Sequence, residues 1–335
     1  MQTGLGRRGP LHVAMRYRVA FGVVIAGAAV LPAARAWGQS SNPFDVIGGN
    51  VEKRANAVLT LMAFSVAPDV TAGSLSINNA TTDNPSVTLV QFGSGFTLAS
   101  SFPLYMEGFA GFNRYDPTFV VTNGEQERKL PTKWNTFTGT GGIGWDLPVP
   151  FVPDLKLRPI FNFSLGHVAS DSAIAGRFIQ FKTDHDLAFL HNGRLNAYGL
   201  GGSVVLDFAR YREPYELDVE VRYTNILLQS FGDTSTAAKG SADAETVSTW
   251  IRWRQPTGLT ALRKPLRYVI ELANTTYLGD EAGALGFNYL NSVGAGFELD
   301  TSAINLIFPR VRFIVRYLIG ENVSGVSGGI SADWF

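Results

Sequence analysis

The chain has no cysteine, so disulfides and thiolate metal sites are excluded. It is also poor in charge. Asp, Glu, Lys and Arg make up 17% of it, against about a quarter in an average soluble domain. The formal net charge is zero, so no nucleic-acid partner is expected, because long-range attraction to phosphate needs a basic excess. Past the N-terminus, no stretch approaches the ~20 consecutive apolar residues of a membrane helix. What remains is glycine, at 36 residues, and aromatics, at 12%. Much glycine, many aromatics, few charges and no apolar helix point to an all-β fold: a transmembrane antiparallel up-and-down β-barrel.

The N-terminus has the pattern of an export signal. Arg7, Arg8, Arg16 and Arg18 form a positive region, and Val19 to Leu31 is an apolar run too short to span comfortably. Ala34-Arg35-Ala36 supplies a small-x-small cleavage site. Residues 1–36 are therefore expected to be a cleaved signal peptide, with Met15 as an alternative start. The expected location is the outer membrane of a Gram-negative cell. The expected partners are outer-membrane lipid and the machinery that inserts barrels; oligomeric state is left open.

From about residue 70 the apolar pattern has period two, the mark of strands with two unlike faces. Leu217, Val219, Val221 and Tyr223 alternate with Asp218, Glu220, Arg222 and Thr224. Val247, Thr249, Ile251 and Trp253 alternate with Ser248, Trp250, Arg252 and Arg254. Val311, Phe313, Val315, Tyr317 and Ile319 alternate with Arg312, Ile314, Arg316 and Leu318. Twelve strands are expected: 71–79, 86–98, 102–114, 134–147, 155–168, 194–208, 215–229, 245–255, 265–278, 287–300, 309–320 and 325–335. Ten or fourteen are the alternatives. If Phe335 ends in the periplasm, the long gaps 115–133, 169–193 and 230–244 fall outside. The short ones then fall in the periplasm, as in bacterial barrels. The barrel is assigned to residues 67–335 and an N-terminal segment to 37–66. Within that segment, Val51 to Ala63 reads as a helix with Asn50 as N-cap. A helix in the lumen, a short periplasmic helix and an added strand at 56–66 are all open.

If the apolar faces meet lipid, the opposite faces line the lumen. Those carry Glu107, Arg158, Asp218, Glu220, Arg222, Arg252, Arg254, Arg267, Glu271, Glu298, Arg312 and Arg316. Lone buried charges are costly, so these should pair or touch water. A salt-bridge network that stiffens a narrow barrel is favoured over a solute-selecting constriction, since wide aqueous channels belong to barrels of about sixteen strands or more. Aromatics near strand ends, among them Tyr105, Phe109, Trp134, Trp145, Trp250, Trp253, Tyr268 and Tyr277, are expected in the girdles at the membrane interfaces.

Chemistry is thinly represented. His167 with Ser170, Asp171 and Ser172, and the run Asp184-His185-Asp186, are the nearest approach to a hydrolytic or cation site. Gly139-Thr140-Gly141-Gly142-Ile143-Gly144 lacks the Lys-Ser/Thr and the helix of a phosphate loop. No catalytic residue, cofactor or metal is assigned, and no enzyme activity is expected.

Trp334-Phe335 resembles the aromatic terminus that the barrel assembly machinery recognises, although Asp333 stands where an apolar residue is usual. More widely, Thr138 to Asp146 before a Pro-rich turn, then Leu157-Arg158-Pro159-Ile160 and Leu165-Gly166-His167-Val168, resemble the middle of an autotransporter translocator. Over residues 45–335 the chain resembles the solitary autotransporter-like barrels of Proteobacteria. The resemblance implies twelve strands, a preceding helix and no passenger. The strand pattern, the helix and the mixed-charge lumen suggest a structural or small-solute pore role. An outer-membrane hydrolase using His167, Ser170 and the 184–186 run, or a surface-binding adhesin-like module using the loops 115–133, 169–193 and 230–244, are the alternatives.

Overall fold

A computed structural model describes residues 51–68, 74–77, 86–116, 118–122, 127–131, 133–170, 194–212, 214–232, 240–301, 310–321 and 323–333. The expected signal peptide, Asn50, the 184–186 run, Trp334 and Phe335 lie outside them. One helix, α1 (Val51–Val66), precedes the strands. The sheet strands are β1 (Ser74–Ile77), β2 (Ser86–Thr97), β3 (Leu104–Asp116), β4 (Trp134–Trp145), β5 (Leu155–Ser170) and β6 (Arg194–Tyr211). They continue as β7 (Glu216–Phe231), β8 (Ser241–Ala261), β9 (Lys264–Gly279), β10 (Tyr289–Asp300), β11 (Arg310–Gly320) and β12 (Ser324–Asp333).

Each of these strands pairs antiparallel with the next in sequence, and the sheet curls until β1 lies beside β12. The twelve-strand expectation therefore matches the ladder. Thr118–Thr122 and Glu127–Pro131 form a separate hairpin in the connection after β3. β3 and β5 end, and β4 and β6 begin, at one end of the sheet, where the gaps in sequence are long; β2 and β3, β6 and β7, and β8 and β9 join at the other, where they are short. We call these the long-loop and short-turn ends.

Alternation decides which face is which. Phe161, Phe163 and Leu165 of β5 are exposed while Asn162, Ser164 and Arg158 are buried. Phe313, Val315 and Tyr317 of β11 are exposed while Arg312 and Ile314 are buried. An apolar outer face around a polar interior is the reverse of a soluble sheet, and it is the arrangement a membrane-spanning barrel needs. Lipid-facing aromatic pairs mark both ends of the band. Phe112–Phe137 and Tyr198–Phe231 stand toward the long loops, and Trp253–Tyr268 and Phe102–Trp145 toward the short turns.

Part of the expected girdle is displaced inward. Tyr105, Trp134 and Tyr277 are buried, and Phe109 and Trp250 share the inward phase of their strands. Position near a strand end does not fix the face; odd or even register does.

The helix runs inside the barrel, against β2, β3, β4, β5, β7 and β8. From Leu59 to Ala67 every residue is buried. Its sequence there, Leu59-Thr60-Leu61-Met62-Ala63-Phe64-Ser65-Val66-Ala67, is apolar on all sides, which suits a helix enclosed all round. Leu59, Met62 and Val66 pack with Tyr115, Trp134, Val168, Leu195, Ile226 and Leu228, all near the long-loop ends of their strands. Phe64 packs with Tyr277 and Phe287. Burial of each large apolar side chain contributes about 1.5–3 kcal/mol.

Candidate functional site: the helix seat and the charged lumen

The lumen has two parts. Toward the long loops it is filled by the helix, and toward the short turns by ion pairs. The helix is held by strand side chains that reach carbonyls at its end, groups a helix cannot satisfy by itself, and one carbonyl a turn earlier, that of Leu61. Gln91 Nε2 of β2 donates to the Ala67 carbonyl at 2.7 Å. Asn113 Nδ2 of β3 donates to the Leu61 carbonyl at 2.5 Å. Thr138 and Thr140 of β4 donate to the carbonyls of Ser65 and Val66, each at 2.9 Å. Gly111 permits this close approach, because a Cβ there would collide with the Ser65 carbonyl and the Thr138 hydroxyl. Gly166 does the same for Met62.

Below the helix, Glu107 of β3 and Arg222 of β7 join across the lumen. Arg222 donates to both carboxylate oxygens, at 2.9 and 2.6 Å. Such two-pronged contacts are the strong form of this interaction. Asn162 also donates to Glu107, at 2.7 Å, and Ser203 links Asn162 to Thr224. Arg158 lies over the Tyr105 ring, 3.9 Å from its centre, and bridges Asp146 and Asp207.

The opposite wall holds two further clusters. Glu271 accepts from Arg252 at 2.6 Å and from the Arg316 Nε at 2.9 Å. Glu298 meets Arg312 at 2.5 Å and Arg254 at 3.2 Å, with Arg267 and Arg310 slightly farther away. Arg254 also holds Asp218 at 2.7 Å, and Arg267 and Arg310 both reach Glu216. Arg312, Glu271 and Glu298 are each 1% exposed. Charges so deeply enclosed are tolerated only when paired on every side.

Of the residues singled out from sequence, Arg158, Asp218, Arg222, Arg252, Arg254, Arg267, Glu271, Arg312 and Arg316 thus fall into these clusters. Glu220 faces the lumen beside them and is partly accessible; among the described residues, no hydrogen bond or ion pair joins it to a neighbour. Asp207, Glu216 and Arg310 were missed, although each lies in the charged phase of its strand. Asp146 was missed although the expected strand 134–147 includes it, in the inward phase. His167 faces outward, and its Nδ1 is 2.7 Å from Asn196 Oδ1.

Asp146 lies between β4 and a two-residue strand, Leu147–Pro148, that pairs with the start of β5; it is outside the spanning strands. Burial raises its pKa, but the Arg158 hydrogen bond and charge, the Thr97 hydroxyl and Lys156 outweigh it, so the carboxyl titrates below its ordinary value. A depressed carboxyl adds stability above its unfolded pKa, about 3.9, and the contribution fades as pH falls through the folded value. Wild type and Asp146→Asn should therefore differ in urea stability at neutral pH. The difference should close only in strong acid; a constant difference down to that range would refute the assignment.

No protein-family model matches the chain, and no curated protein matches it. Among solved structures it is similar to the β domain of the Bordetella autotransporter BrkA. Identity is 12%, covering 77% of this chain and 94% of that one, with a TM-score of 0.39. It is also similar to the translocator domain of the autotransporter NalP from Neisseria meningitidis, at 12% identity, 75% and 82% coverage and a TM-score of 0.38. The CymD monoaromatic hydrocarbon channel matches at 8% identity, 78% and 76% coverage and a TM-score of 0.37. At these identities no residue role passes from them to this chain. The barrel assignment rests on the strand ladder and the apolar outer face.

Proposed function

We propose that the chain is an outer-membrane β-barrel of autotransporter-like type, closed by its own helix and structural in role. The observation that carries this reading is the helix seat. Side chains from two strands take up the carbonyls at the end of α1, a third strand reaches the Leu61 carbonyl, and apolar side chains fill the space around it. A helix merely passing through a channel would not have its terminal carbonyls met so fully. The paired lumen charges support the same reading, because guanidinium groups committed to carboxylates are not free to attract a solute.

Export by a cleaved signal, insertion by the barrel assembly machinery and a non-enzymatic role belong to this proposal. Purified full-length protein in planar bilayers tests it. The expected record stays at baseline; a large, steady conductance would defeat the closed form.

A further inference from the structure

One part of the barrel leaves its wall. The β7–β8 ladder ends at Glu216↔Arg254 and the β9–β10 ladder at Leu266↔Leu299. Residues 255–265 therefore project from the short-turn end as a two-stranded ribbon, with no flanking strand among the described residues. A bulge between Pro256 and Thr260 shifts its register, and Ala261↔Lys264 closes it over Leu262 and Arg263.

That two-residue turn is unusual. Leu262 and Arg263 have φ of 53° and 61°, so both central residues are left-handed. A turn of this kind favours Asn-Gly, because side chains with a Cβ are strained there. Here the strained positions hold a leucine and an arginine, both exposed, with Leu259 and Lys264 beside them. A second short turn repeats the choice. Phe151 has φ of 73° and is fully exposed, and Val152 follows it; the cations nearby, Lys156 and Arg210, are paired with Asp146 and Asp154. Bulky apolar residues in strained, open positions indicate a use for the side chain.

What they meet is indicated by what they continue. The ribbon extends strands whose outward Trp253 and Tyr268 pack edge to face, 5.8 Å apart, on the lipid-facing wall. Apolar groups followed by arginine and lysine, next to a bilayer, match an anionic headgroup layer. The leucines enter the interface and the cations meet phosphate. We propose that the Leu259–Lys264 ribbon, with the Phe151 turn, anchors the short-turn end to an anionic phospholipid leaflet. The inference rests on the reading of the chain as a membrane-embedded barrel.

The absence of native cysteine makes a clean probe available. Thr260→Cys, on the exposed ribbon, is labelled with an environment-sensitive fluorophore in the full chain. The chain is then refolded into phosphatidylcholine vesicles with or without phosphatidylglycerol. Heat-modifiable gel migration reports the barrel separately. Emission should shift to the blue with phosphatidylglycerol and return toward the aqueous value at high salt. The shift should also be lost in the Leu262→Asn/Arg263→Gly background, whose turn is better suited to its backbone. A water-like emission from folded protein in phosphatidylglycerol overturns the anchor and leaves the barrel standing. So does an unchanged shift in the Asn-Gly variant, or one that appears only when periplasmic extract is added, which would indicate a protein partner. Failure of wild type to show heat-modifiable migration overturns the barrel reading, and the anchor with it.

Discussion

Glu298→Gln is expected to lower the stability of the folded barrel by about 3–5 kcal/mol, the cost of breaking a buried ion pair from one side. Glu298 is the shared acceptor of Arg254, Arg267, Arg310 and Arg312. Arg312 and Arg254 are almost wholly enclosed, with side chains 1% and 2% exposed. The amide keeps the shape but removes the charge, so enclosed guanidinium groups face one another with less to hold them. Urea titration in detergent micelles, followed by tryptophan fluorescence, measures the loss. The double variant Glu298→Leu/Arg312→Met should recover part of it, because replacing both partners of a buried pair with apolar groups is often close to neutral. A loss below about 1 kcal/mol in the single variant would put the pair in the class of solvated surface bridges.

Removing residues 51–66 is expected to turn a silent bilayer record into a steady conductance. The helix and the apolar side chains around it fill the long-loop half of the lumen. In the other half, the inward-facing Glu220, Trp250 and Arg316 are only partly buried, so the ion pairs there do not fill the interior completely. Without the helix the two ends connect. Ion selectivity should be weak, because the inward arginines are matched by carboxylates along the whole wall. Heat-modifiable migration of the deleted chain shows whether the barrel still closes. A folded, deleted barrel that stays silent would move the seal from the helix to the ion pairs.

Much of the barrel was legible along the chain. Period-two alternation located all twelve strands, and the face of each charged residue followed from its phase, as with Asp218 and Arg222 against Val219 and Val221. The apolar sequence of 59–67 left the helix with three destinations. Enclosure on all sides is a property of the strands around it, so only the folded barrel chose among them. The same limit applies to aromatics. Trp253 and Trp250 lie three residues apart, yet one meets lipid and the other stacks under Arg252 in the lumen, 4.1 Å from its guanidinium carbon.

Pairing was the larger gap. Sequence showed that the lumen would carry both signs of charge. It did not show that Glu107 belongs to Arg222, or that Glu298 gathers arginines from β8, β9 and β11. Glu107 and Arg222, and Arg254 and Glu298, stand on strands that are not neighbours, so their meeting depends on barrel curvature and stagger. Arg267 and Arg312 face Glu298 from the adjoining strands, where the ladder register decides. The sequence by itself determined an all-β chain with a polar and an apolar face to each strand and a helix before them. Alternation is local and is written residue by residue. Only the tertiary structure decided that the helix lies inside, which carbonyls hold it and which charges neutralise one another, because each of these is set by strand register or by contacts across the lumen.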